Sequence, residues 1–387
     1  MNVLIYDLFG SFQIKDMEYC LKKLGHKCIT RFYPVKDRYH DEDFSFVINK
    51  DLAENEIDLV FTTNYYPVVS LPCKEKNIPY FSWVYDSPAD LPSIETMDFP
   101  TNHIFFFSRY EYQHYKNDLG LDTVYYLPLA ANVERLSTIG PNPKKFSSDV
   151  SLVGGLYFSD TFYSLKAIMS PEQQKYMDAI VAVQMKKSGS FVIDSALTDD
   201  FIGDVNSYFK SQSETAIQPS KDQLFFSVCA HLTHLDRLVL LNMCGERGFD
   251  TRLYIAEIND QDRQVLSSHN ISINGPVSYH EEMPQVFKSC KINLNPTTRA
   301  NRTGIPLRVV DVLGCGGFLI TNHQPEMDDF FDPDEIVTYE SVEDAIEKID
   351  YCLRHDNERM KIAQKGFERI SKDFNFMTRV QEMLSYL

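Results

Sequence analysis

The chain carries no excess of positive charge. Its 38 Lys and Arg face 55 Asp and Glu, a formal net charge of −17. That balance argues against nonspecific binding to nucleic acid or to anionic membranes. None of the eight cysteines forms a C-x-x-C pair, and their scatter through apolar patterns predicts neither a zinc site nor a disulfide framework. No apolar run approaches the ~18 residues of a membrane span, and Val3–Tyr6 runs directly into Asp7 where a secretory leader would stay apolar. A cytoplasmic protein without a transmembrane segment is the expectation. The loop at Gly10 lacks G-x-G-x-x-G, so the dinucleotide fingerprint is missing. His231 and His234 have no Glu between them, and Asp332-Pro333-Asp334 has a proline at its centre rather than a strand before it, so no metal site is expected. Repeats and low-complexity segments are also missing.

What is present is a long alternation of short apolar strands and helical patterns. At 387 residues, 43% hydrophobic and 13% aromatic, the chain is too long for one ordinary core and suits two α/β domains. Residues 2–8, Gln13–Leu24 and Lys27–Phe32 give the β-α-β opening of a doubly wound sheet. Runs such as Ile104–Phe107 are apolar without alternation, as strands buried on both faces must be. Trp83, the single tryptophan, belongs to that core. Asp86, in Trp83-Val-Tyr-Asp-Ser-Pro88, follows a strand at its carboxyl end, where open α/β sheets hold ligands. It either takes a proton from an acceptor hydroxyl, orients that acceptor, or caps the loop before Pro88, with Asp90 in a similar position.

The segment 136–148 is polar and proline-containing, as a linker between domains is. This sets residues 1–135 as the first domain and 149–374 as the second, with a helical insertion at about 160–215 broken at Pro171 and Ser188-Gly189. Residues 375–387 form a closing helix. The stretch Ile292–Thr321 gathers the polar chemistry: a strand, a loop with Arg299 and Arg302, a helix opened by Gly304-Ile305-Pro306, then a buried strand. Arg308 and Asp311 stand three apart on one helical face. A helix start and an arginine fork suit phosphate, and an acceptor-only carboxylate suits ribose hydroxyls. The alternative is a plain i,i+3 ion pair.

The run GIPLRVVDVLGCGGFLITNHQPEMDDFF, followed by EIVTYESVEDAIEKIDYCLRHDNERMKIAQKGFERI, resembles the C-terminal half of the CgeB-like (spore maturation protein) glycosyltransferases. The likeness covers Asp149–Leu387, and reaches the first half through SWVYDSP and YLPLAANVER. It implies the GT-B fold: two doubly wound Rossmann-like domains facing across a cleft, the first for the acceptor and the second for a nucleotide sugar. Arg308, Arg302, Gly304, Gly154 and Gly155 then meet the donor diphosphate, and Asp311 the ribose. The backbone at Gly275 and Val277 meets the nucleobase. Thr303 falls where related retaining enzymes have their first acid. Gly10, Thr303 and Arg237 are further candidates for lining the cleft. The activity implied is metal-independent transfer of a hexose from a nucleotide diphosphate sugar, UDP-linked by family frequency, to a glycan or protein acceptor, with no cofactor. A nucleotide-sugar epimerase, a phosphorylase and a non-catalytic sugar-binding relative use the same architecture.

Overall fold

Parallel strands buried on both faces organise the molecule. The structure, a computed structural model, describes residues 1–89, 91, 93–186 and 192–387; Asp90 and the Ser188-Gly189 break lie outside the described residues. Among the described residues the strands form two six-stranded parallel sheets. The first contains β1 (Asn2–Asp7), β2 (Lys27–Phe32), β3 (Leu59–Thr63), β4 (Tyr80–Val84), β5 (Asn102–Phe106) and β6 (Val124–Tyr126), in the order β2-β1-β3-β4-β5-β6. The second contains β7 (Val150–Val153), β8 (Thr251–Tyr254), β9 (Ser272–Asn274), β10 (Ile292–Asn295), β11 (Leu319–Asn322) and β12 (Val337–Tyr339), in the order β12-β11-β10-β7-β8-β9. Every residue of β3 and β4 is buried, whereas the outer strand β2 is mostly exposed. Central strands therefore read as continuous apolar runs and the outer one does not.

Helices join the strands. The first half has α1 (Ile14–Lys23), α2 (Glu42–Glu54), α3 (Pro67–Lys76), α4 (Arg109–Gln113), α5 (Val133–Thr138) and α6 (Pro143–Phe146). Then come α7 (Asp160–Ala167), α8 (Pro171–Met185), α9 (Val192–Ala196), α10 (Asp199–Gln212), α11 (Lys221–Glu246), α12 (Asp260–Ser268), α13 (Glu282–Ser289) and α14 (Leu307–Gly314). The last are α15 (Met327–Phe330), α16 (Val342–Arg354), α17 (Asp356–Asp373) and α18 (Phe376–Leu384). Two elements fall inside the segment expected to be linker: α5 extends into it, and α6 lies wholly within it.

The chain separates into two compact units. Unit 1 comprises Met1–Thr138, Thr303–Gly314 and Glu368–Leu387; unit 2 comprises Ile139–Arg302 and Cys315–Phe367. This differs from the sequence division, which left 303–314 and 368–374 in the second domain. The reason is packing. Leu307 joins the unit 1 core with Trp83, Leu127 and Phe376, and the position of a Cβ on Gly314 is bounded by Ala131, Leu136 and Ile370. In α18, Phe376 meets Trp83 at 5.4 Å between ring centroids, and Val380 and Met383 are buried.

α11 is the one described helix that bears on the expectation of no transmembrane segment. By length and composition it is apolar enough to cross a membrane, yet 67% of its apolar window is buried inside the structure. Its first half, through Leu224, Val228 and Leu232, packs with the insertion helices; its second half, through Leu240, Leu241 and Cys244, packs on the unit 2 sheet. A helix shared by two cores is apolar on more than one face. Its start is fixed by a reciprocal capping box between Ser220 and Gln223.

His231 of α11 lies flat on Phe162, 4.0 Å between centroids and 7° between planes, with Nδ1 buried and unpartnered among the described residues. Burial, then the neighbouring His234, lowers its pKa to about 4. An unfolded histidine titrates near about 6.5, so between these values the unfolded chain binds the extra proton and folding loses stability as pH falls. Stability from this group is complete above about 6.5 and declines by about 1.4 kcal/mol per pH unit toward the folded pKa. Acid titration of unit 2 stability is expected to lose that slope in His231→Phe. An unchanged slope would assign it to other groups.

Candidate functional site

Each sheet reverses its strand order at one place, and the loops leaving the carboxyl ends there diverge to leave a crevice. In unit 2 this place lies between β7 and β10. The loop after β7 contains Gly154 and Gly155. Gly154 takes φ +144°, and the Cβ it lacks would lie 3.4 Å from Arg237 Nη1. Arg237, from α11, spans both loops: Nη1 donates to Gly155 O at 2.5 Å, while Nε and Nη2 donate to Pro296 O at 3.0 and 2.6 Å. The ring of Tyr157 lies 4.7 Å from its guanidinium. Arg237 is buried and acts first as a tie between the two crevice loops. Gly275 and Val277 follow β9, the outer strand on that side, with β8 between it and β7; Gly275 is exposed and Val277 half-buried.

The two loop arginines are engaged elsewhere than on the expected phosphate. Arg299 forms a bidentate pair with Asp236 of α11, Nε–Oδ2 at 2.5 Å and Nη2–Oδ1 at 2.9 Å, both side chains largely buried. Arg302 pairs through both terminal nitrogens with Asp194 of α9, at 2.8 Å for Nη2, and its guanidinium lies 4.9 Å from the Phe225 ring. A guanidinium taken out of water needs a partner, and a planar carboxylate matches both its donors. Arg302, expected at the diphosphate, is here paired with a carboxylate of the helical insertion. His234, the other helical histidine, meets Leu156 O at 3.1 Å through Nδ1 and Asp262 at 3.4 Å through Nε2.

In unit 1, Thr303 and Gly304 are fixed on the end of β5. Thr303 Oγ1 lies 3.1 Å from Ser108 Oγ and accepts from the Tyr110 amide at 3.2 Å. A Cβ on Gly304 would fall 2.6 Å from Phe107 Cε2 and 3.1 Å from Ser108 Cα, so only glycine allows this approach. Gly304 therefore holds the start of α14 close to β5. On α14, Arg308 and Asp311 form the i,i+3 pair that the sequence left as one of two readings, at 3.4 Å, with Asp311 buried and Arg308 half-buried.

The unit 1 sheet reverses between β1 and β3. After β1, Gly10 takes φ +78°, and Asp7 Oδ1 accepts from the amides of Gly10 and Ser11 at 2.7 and 2.9 Å. After β3, Asn64 adopts a left-handed φ of +62°. Its side chain sets the next loop: Oδ1 accepts from the Tyr85 amide at 2.8 Å, and Nδ2 donates to Asp86 Oδ2 at 2.7 Å. Asp86 is exposed and oriented by Asn64. Sequence reasoning passed over Asn64; the available signal was an asparagine closing a buried strand, since asparagine tolerates the left-handed region better than other side chains.

Residues 237–385 match the family model described as glycosyl transferase-like. No curated protein matches the sequence. Solved structures resemble it over their whole lengths. A glycosyltransferase from Rickettsia africae superposes with a TM-score of 0.63 at 11% identity, covering 100% of this chain and 97% of that one. HepE from Anabaena, in complex with UDP and glucose, gives 0.60 at 11% identity, with 100% and 99% covered. Sucrose-phosphate synthase from Thermosynechococcus elongatus gives 0.59 at 9%, with 100% and 98% covered. What these likenesses establish is the fold: two Rossmann-like parallel-sheet domains of the GT-B glycosyltransferase kind, as the motifs implied.

Proposed function

We propose that this chain, whose fold and family match are those of a glycosyltransferase, moves a hexose from a UDP-linked donor to a glycan or protein acceptor. We assign it to the CgeB-like branch on the strength of GIPLRVVDVLGCGGFLIT. The observation that carries the donor reading is the strand-order reversal at β7 and β10, where no heavy atom stands within 4 Å of the Cβ that Gly155 lacks and Arg237 holds both loops. HepE, of like fold, is the structure that contains UDP and glucose, which supports UDP over other nucleotides.

The roles follow residue chemistry. Gly154 and Gly155 offer backbone to the diphosphate. Arg308, second residue of α14, brings a permanent positive charge near a helix start, and Asp311 accepts from ribose hydroxyls. Gly275 and Val277 pass close to the base. Asp86, held by Asn64, faces the acceptor hydroxyl as base or as orienting group. Stabilising the leaving diphosphate by fixed positive groups supplies the electrostatic part of the barrier reduction, and no divalent ion enters this scheme. The eight cysteines are all free, which suits a reducing compartment, and we place the enzyme in the cytoplasm.

The test is thermal stabilisation by UDP, GDP, ADP and TDP, each with magnesium and with EDTA. UDP is expected to raise the melting temperature equally in both, since ligand at about a hundredfold over its dissociation constant adds about 2.7 kcal/mol. Failure of every nucleotide at millimolar concentration would remove the donor site. A shift that needs magnesium would remove metal independence alone.

A further inference from the structure

The first turns of α11 present one stripe of side chains, Gln223, Phe226, Ser227 and Ala230, spaced i, i+3, i+4 and i+7 on a single face. Ser227 and Ala230 are short, so they leave a gap between α11 and α7. The gap is a cavity of about 420 Å³, completed by Ser159, Thr161 and Leu165 on one side and by Ile217 and Pro219 on another. All of these residues belong to unit 2. Leu165 and Pro219 are buried, while Ile217 is 67% and Phe226 36% exposed, so the apolar lining continues out to solvent.

The chemistry of the wall narrows the ligand. Among the described residues no charged side chain lines the cavity; Asp160 and Asp222, each next to a lining residue in sequence, are not part of it. Three of the four polar lining side chains already bond within the chain. Ser159 Oγ accepts from the Phe162 amide at 3.4 Å, Gln223 Oε1 accepts from the Ser220 amide at 3.0 Å, and Ser227 Oγ donates to Leu224 O at 2.8 Å. The fourth, Thr161, is exposed. A sugar or a nucleotide needs several directed hydrogen bonds or an opposite charge, and a protein segment brings backbone groups that this wall does not partner. A hydrocarbon needs neither. A dry cavity of about 150 Å³ holds one benzene, so on that scale this one has room for a chain of roughly ten to fifteen carbons. We propose that the cavity between α7 and α11 binds the hydrocarbon chain of one lipid molecule, whose polar head stays in water. The proposal does not rest on the transferase reading.

Isothermal titration calorimetry on the full chain tests this with hexanol, octanol and decanol as probes. Affinity is expected to rise about fourfold per added methylene, with a negative heat capacity of binding. Ala230→Leu fills the gap and should weaken decanol binding about tenfold or more, while the melting temperature without ligand holds or rises. Phe226→Ala removes one wall without adding bulk, at an exposed position, and should weaken decanol binding about tenfold. Absence of binding by every alcohol overturns the proposal, as does decanol affinity unchanged in both variants. Retention of the chain on phosphatidylcholine vesicles without binding of the alcohols would give this face to a membrane surface. A dimer in sedimentation that Ala230→Leu dissociates would give it to a second copy. Either result overturns the single-chain site.

Discussion

UDP release from UDP-glucose is expected to fall by about a hundred- to a thousandfold in Arg308→Ala, the loss seen when one preorganised donor to a developing negative charge is removed. The charge on the leaving diphosphate grows along the reaction, so a guanidinium that meets it acts more strongly on the transition state than on the bound donor. The fall should therefore appear in kcat more than in KM. Arg308→Lys retains a cation but not the fork, and should recover part of the rate. Asp311 is buried and pairs with Arg308 at 3.4 Å, so the alanine variant also strips a carboxylate of a partner. Melting of the variant without ligand separates that structural cost from catalysis. Turnover within about twofold of the parent, with the fold intact, would return Arg308 to a plain ion pair.

Asp236→Ala is expected to destabilise unit 2 by about 3–5 kcal/mol, because it leaves the Arg299 guanidinium buried without its bidentate partner. Asp236 and Arg299 are 8% and 11% exposed at the side chain, which separates this pair from the surface pairs worth about 1 kcal/mol or less. Replacing both, Asp236→Leu with Arg299→Met, removes the charges together and should recover most of the loss. The measurement must report on unit 2. Trp83 lies in unit 1, so its fluorescence does not serve; amide exchange along α11 does. A loss below about 1 kcal/mol would show the pair to be solvated like a surface one.

Much of the fold was legible because burial on both faces of a parallel sheet writes itself into composition. Val3–Tyr6, Leu59–Thr62 and Ile104–Phe107 could be nothing but central strands, and Gly154-Gly155 after an apolar run marked a strand exit. The polar sites were less legible. Arg308 and Asp311 could be paired on paper because helical spacing makes residues three apart neighbours. No comparable rule points from Arg299 to Asp236, 63 positions earlier, or from Arg302 to Asp194, 108 positions earlier. The reading of Arg302 as a phosphate ligand was therefore made without sight of its pairing with Asp194. Asn64 escaped notice for a related reason: its importance lies in a left-handed turn and three hydrogen bonds to a loop 21 and 22 residues away.

The sequence by itself determined the class of the molecule: two alternations of buried strand and amphipathic helix, two glycine-bearing strand exits, and a strand–loop–helix with its arginines and aspartate. These are local properties, fixed by side-chain volume, backbone freedom and helical period over a few residues. The tertiary structure alone decided which charges meet. It drew α14 into the first unit through Leu307 and the glycine approach to Phe107, tied the second unit's loops with Arg237, and set Phe9 over Tyr66. Pairing energies depend on distance and burial, and both are set by chain segments far apart in sequence that only the folded molecule brings together.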